Sequence, residues 1–131
     1  MTTEKSDQIQ IDNISLIHDD CLNVLKSLPD NHINLILTDP PYFKVKSNEW
    51  DNQWKNADDY LSWLDDVFAE FWRVLKPSGS LYVFCGPKLA VETELLIKQL
   101  VHRCVPIGLV IANGNYRMRL NTKHCKICLR E

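Results

Sequence analysis

The feature that most constrains this chain is a six-residue run, Ile33-Asn34-Leu35-Ile36-Leu37-Thr38, that passes directly into Asp39-Pro40-Pro41-Tyr42. The run is nearly continuous in apolar residues, as a strand covered on both faces would be. The two prolines behind it have no backbone N–H and cannot extend a central ladder. Thr38 ends this strand, the most hydrophobic of the chain. In parallel sheets ligands sit beyond the carboxyl ends of the strands, so the tetrapeptide falls where a site is expected.

The flanking sequence supports a sheet of that kind. Ile14–His18 is a short β-compatible run ending in Asp19-Asp20, after a polar leader. Cys21 to Leu28 has Leu22, Val24, Leu25 and Leu28 at helical spacing, and Pro29-Asp30-Asn31 ends it. Residues 43–56, polar with two tryptophans and no period, read as a loop in which Trp50 and Trp54 are hydrophobic anchors. From Ala57 to Leu75 the apolar positions follow the 3, 4 pattern of a long amphipathic helix, with Lys76-Pro77-Ser78-Gly79 as its stop. Leu81–Cys85 reads as a strand, Leu89–Val101 as a helix and Val105–Ile111 as a fourth strand. This alternation predicts an α/β fold, three-layer, built on a mainly parallel sheet.

Composition narrows the function. The 131 residues carry a net charge of −2, and no apolar run approaches the ~18 residues of a membrane span. The polar start is not a signal peptide, so a cytoplasmic protein with five reduced cysteines is expected, without membrane association. Residues 1–114 hold 10 Lys+Arg against 16 Asp+Glu, while residues 115–131 hold five against one. An acidic body argues against a strong sequence-independent grip on nucleic-acid phosphates.

The tetrapeptide has its own chemistry. Pro40 and Pro41 offer carbonyl acceptors and no N–H, Asp39 adds an acceptor-only carboxylate, and Tyr42 adds a flat aromatic face. Such a surface suits a planar group with an exocyclic NH2 that donates both hydrogens and stacks on the ring. That nitrogen is a poor nucleophile while its lone pair is delocalised. Two acceptors that hold both N–H bonds bias it towards tetrahedral geometry, and Asp39 is placed to take or relay the released proton.

Thr38-Asp39-Pro40-Pro41-Tyr42-Phe43 resembles the catalytic motif of the amino-group DNA methyltransferases, which act on adenine N6 or cytosine N4. His18-Asp19-Asp20-Cys21-Leu22 and Leu25–Asp30 resemble the family's preceding strand and helix. Tyr60–Leu64, Arg73–Phe84 and Gly86-Pro87-Lys88 resemble the segment that follows. The likeness runs from about residue 14 to 110, and is to the subgroup that places its catalytic motif first and its cofactor loop last. The resemblance implies an S-adenosylmethionine-dependent methyltransferase fold. Asp39 and the Pro40 carbonyl would hold the target amino group, and Tyr42 would stack on a base flipped from double-stranded DNA. Asp20 and Cys21, with Asp39, would lie at the cofactor. Aspartate at the first motif position favours adenine over cytosine-N4, in a restriction-modification setting, and no metal is needed.

The glycines, at 79, 86, 108 and 114 only, form no Gly-x-Gly of the kind the family's cofactor loop uses. The reading is therefore an incomplete sheet: residues 1–111 a partial methyltransferase catalytic domain, 112–131 a non-matching basic tail, the chain truncated and inactive, with a complementing chain or none. The alternatives are a non-catalytic remnant or binding module, and a zinc-dependent nucleic-acid binder built on the tail. His124, Cys125 and Cys128, with His102 and Cys104, are ligand types, but a single Cys-x-x-Cys is a weak signal and no metal site is expected. Arg117, Arg119, Lys123, Lys126 and Arg130 read as a solvated tail. Asp19 and Asp20 serve equally as caps of the following helix.

Overall fold

A computed structural model describes residues 7–44, 53–100 and 107–111. In chain order its elements are β1 (Asp7–Ile11), β2 (Ile14–His18), α1 (Cys21–Ser27), β3 (Ile33–Thr38), α2 (Ala57–Val74), β4 (Leu75–Cys85), α3 (Ala90–Leu100) and β5 (Ile107–Ile111). A single 3-10 turn, Pro87–Leu89, leads into α3.

β3, β4 and β5 form a parallel sheet in the order β3-β4-β5. Helices and parallel strands together are compatible with part of the S-adenosylmethionine-dependent methyltransferase fold. The core lies where α2 meets β4. Tyr60, Leu64, Val67, Phe68, Phe71 and Val74 recur at 3 and 4 residues and are all buried. On β4 the alternate residues Leu81, Val83 and Cys85 are buried, as the two-residue period of a strand requires. α2 contacts both α1 and α3. Asn56 caps α2 by accepting from the Asp59 N–H at 2.8 Å, and Asp58 and Asp59 complement the positive end of the helix dipole.

Arg73 ties the far end of α2 to the turn before β3. Its guanidinium donates to the Leu28 carbonyl at 2.9 Å and to the Leu25 carbonyl at 2.7 Å, the latter also accepting the Leu28 N–H that closes the end of α1. It also pairs with Asp30 and Glu70, each at 2.7 Å. These two carboxylates hold the guanidinium above its ordinary pKa. The backbone completes the joint: the Asn31 N–H donates to the Arg73 carbonyl and the His32 N–H to the Val74 carbonyl.

Four readings of the sequence are revised. The polar leader contains a strand, because Asp12 at φ 50° turns the chain back and β1 pairs antiparallel with β2. β2 consequently pairs with β1 and, among the described strands, not with the parallel sheet. Lys76-Pro77-Ser78-Gly79 does not separate α2 from the next strand. Leu75 is already extended, and the tetrapeptide is a bulge within β4, between the pairs Ile33–Leu75 and Leu35–Ser80. Pro77 is tolerated there because a bulge releases it from the ladder. Finally, β3 is covered on one face only among the described residues, since Leu35 and Leu37 are 56% and 65% exposed.

Candidate active site

Thr38 pairs with Val83, so the carboxyl ends of β3 and β4 lie side by side and in parallel. Asp39-Pro40-Pro41-Tyr42 leaves the first of these ends, and Gly86-Pro87-Lys88 leaves the second. The topology thus puts the tetrapeptide at the edge where parallel sheets bind their ligands.

Within it, the Tyr42 hydroxyl donates to Asp39 Oδ1 at 2.6 Å. Burial first, then this hydrogen bond and the Asp39 charge, push the Tyr42 hydroxyl above its ordinary pKa, so it remains a neutral donor. The bond fixes the ring relative to the carboxylate. Asp39 itself is exposed, and among the described residues its second oxygen has no hydrogen-bond partner. A carboxylate oxygen and the half-buried Pro40 therefore stand beside a half-buried, orientated ring.

Phe43 anchors this turn. It is buried, with its centroid 5.8 Å from Tyr60 at the start of α2. Trp54 packs edge-on to Tyr60 at 4.9 Å and against Trp63 at 4.9 Å, so it anchors its loop as the sequence suggests. Trp72 is half-buried against the core. Trp50 lies outside the described residues. A small hollow beside the turn is lined by Phe43, Tyr60, Gly86, Lys88, Leu89 and Thr93.

Asp20 and Cys21 are placed differently. Asp20 Oδ1 accepts from the Leu22 N–H at 2.8 Å and caps α1, while Asp19 Oδ1 accepts from the Asp20 N–H at 2.6 Å. The Cys21 thiol is exposed, and partial burial followed by the Asp20 charge raises its pKa. No described ladder sets these residues against Asp39, because among the described strands β2 pairs only with β1. The Tyr42–Asp39 bond is not evident from the sequence, although a three-residue spacing across a proline turn is the signal that allows it. Arg73 and Tyr60 were likewise read only as parts of longer segments.

Among the described residues no group of three or more His, Cys, Asp or Glu side chains can hold a metal ion. His102, Cys104, His124, Cys125 and Cys128 lie outside them, as do Arg117, Arg119, Lys123, Lys126 and Arg130. No helix among the described residues is long and apolar enough to cross a membrane.

A family model described as DNA methylase, for N6 and N4 amino groups, matches residues 33–119, which include the whole tetrapeptide. The type II methyltransferase M.HpaI of Haemophilus parainfluenzae is 40% identical over 84 residues, covering 64% of this chain and 27% of the relative. The DNA adenine methyltransferase YhdJ of Escherichia coli (strain K12) is 41% identical over 69 residues, covering 53% of this chain and 24% of the relative. The type II methyltransferase M.BglII of Bacillus subtilis is 38% identical over 63 residues, covering 48% and 17%. The chain spans about a quarter or less of the length of these relatives.

Proposed function

From the premise that this chain belongs to the DNA methylase family of amino-group methyltransferases, we propose that it carries the part of such an enzyme that holds the target amino group, adenine N6 in preference to cytosine N4. One observation carries the proposal: Asp39-Pro40-Pro41-Tyr42 sits at the carboxyl end of β3, beside that of β4, with Asp39 exposed and bonded to Tyr42. The preference for adenine rests on the aspartate at the first motif position, and the likeness to a DNA adenine methyltransferase supports it.

In this reading the free oxygen of Asp39 and the Pro40 carbonyl each accept one N–H of the target amino group. Holding both hydrogens biases the nitrogen towards tetrahedral geometry and exposes its lone pair. Tyr42 presents its ring to the base, and its hydroxyl keeps the Asp39 carboxylate from rotating away. Asp39 then takes or relays the proton that leaves the nitrogen. Double-stranded DNA with the base turned out of the stack is the substrate, because neither acceptor can reach an amino group inside a duplex.

S-adenosylmethionine is the methyl donor of this family, and its methyl carbon is the electrophile. Asp20, Cys21 and Asp39 would lie at it, Asp20 using one oxygen to cap α1, but the 131 residues contain no Gly-x-Gly to give the backbone the close approach that a bare loop allows. The 131 residues alone therefore transfer little or no methyl from labelled S-adenosylmethionine to DNA. Robust incorporation by the purified chain would contradict this. The holding function is tested separately, by titrating 2′-deoxyadenosine into the isotope-labelled chain and following amide shifts. Saturable shifts around residues 38–43 that disappear in Asp39→Ala support the proposal, and their absence from folded wild-type protein overturns it.

A further inference from the structure

We propose that Lys44 and Lys88 form a binding site for a phosphate of the DNA strand whose base enters the Asp39 site; this rests on the function proposed above. The two lysines come from different elements, one from the turn after β3 and one from the 3-10 turn after β4. Both converge on Phe43, with Lys44 Nζ 5.2 Å and Lys88 Nζ 5.4 Å from the ring centroid. Phe43 is buried and adjoins Tyr42, so the ammonium groups are stationed beside the tetrapeptide.

Two like charges gathered at one ring repel each other, and the attraction of an exposed ammonium for a phenylalanine face is weak. Neither lysine has an ion-pair partner among the described residues; Lys44 Nζ donates only to the Lys55 carbonyl, at 3.1 Å. Lys44 also holds φ at 47°, a left-handed conformation that side-chain-bearing residues seldom adopt. Both ammonium groups, without a carboxylate partner among the described residues, are therefore available to an anion that approaches this turn.

The charge of the chain identifies the anion. Residues 1–114 are acidic overall, and Asp39 adds a negative charge at the site itself. A DNA strand approaching this edge is repelled unless cations stand where its phosphate must pass. Lysine is a point-charge phosphate ligand on a flexible stem, so two such stems close on one tetrahedral group without a fixed fork. Lys88 also borders the hollow beside Phe43 and Tyr60, next to the place where the base is held.

The test compares three probes on the isotope-labelled full chain at low salt: 2′-deoxyadenosine, its 5′-monophosphate, and S-adenosylmethionine. The monophosphate should bind about tenfold more tightly than the nucleoside, as charge-assisted hydrogen bonds allow, with shifts at residues 43–44 and 86–89. In the Lys44→Gln, Lys88→Gln double variant that advantage disappears while nucleoside affinity stays the same. In Lys88→Glu the monophosphate binds no better than the nucleoside, or worse. Equal affinity of the wild type for both probes overturns the phosphate site and leaves the base reading standing. No binding of either probe removes the base reading, and this inference with it. If the double variant instead weakens S-adenosylmethionine alone, the lysines serve its carboxylate and the inference fails. Retention of the wild-type amide dispersion shows that each variant is folded.

Discussion

The Asp39 carboxylate is useful because it is only half committed. Tyr42 takes one oxygen at 2.6 Å and the other has no partner among the described residues, so the group is both orientated and able to accept a further bond. An apolar run followed by two prolines placed Asp39, Pro40, Pro41 and Tyr42 at the end of a strand, because proline cannot donate to a central ladder. That pattern did not show that the tyrosine hydroxyl would close on the aspartate, which depends on how the turn coils. A second residue-scale effect concerns Cys85, buried at the end of β4 beneath this edge, whose thiol burial pushes up to about 11. The unfolded thiol ionises near its ordinary value of 9.0. Between pH 9 and about 11 the unfolded chain therefore holds fewer protons than the folded one, and stability falls as pH rises. Cys21 and Tyr42, also raised, act in the same direction. Urea midpoints measured from pH 8 to 11 should decline, with a shallower decline over that window in Cys85→Ala.

At the scale of elements, α2 was legible end to end within a residue, since its apolar positions repeat at helical spacing over 18 residues. The start of β4 was not legible. Lys-Pro-Ser-Gly looks like a helix stop, and it does follow a helix, but the strand begins at Leu75 and absorbs the tetrapeptide as a bulge. Gly79 makes this possible. A Cβ there would stand 2.8 Å from Leu75 Cδ1 and 3.0 Å from the Asn34 carbonyl oxygen, so β3 could not come as close. Gly79→Ala should cost about 1–3 kcal/mol, the range for overpacking a tight site, measured as a lower urea midpoint with an unchanged slope. β1 was missed for a different reason. Gln8-Ile9-Gln10-Ile11 alternates as a strand does, but five residues beside a charged leader give too short a pattern to read alone. Its partner β2 was recognised, and the Asp12 turn that joins them was not.

At the scale of the whole molecule, the described residues leave apolar surface in water. Ile9, Ile11, Ile14, Leu16 and Ile17 of the β1–β2 hairpin are exposed, as are Leu35 and Leu37 of β3. β3 also pairs on one edge only among the described strands. An open edge flanked by exposed leucines invites pairing between chains. Light scattering of the purified chain should rise with concentration, and Leu37→Lys should suppress the rise. A concentration-independent monomer would count against an uncovered sheet face. The parallel sheet of the family was readable because alternating strands and helices permit few topologies. The one-sided cover of β3 was not, because an apolar strand has the same sequence whether its second face is covered or bare.

In the proposed function this sheet edge recognises an exocyclic amino group through its two N–H bonds. The most direct test titrates the isotope-labelled chain with 2′-deoxyadenosine and with N6,N6-dimethyl-2′-deoxyadenosine, which keeps the ring but has no N–H on that nitrogen. The first should give saturable shifts around residues 38–43, and neither the second nor Asp39→Ala should give any. Equal binding of the two nucleosides would show a site that takes the ring and ignores the amino group, and would contradict the proposed function.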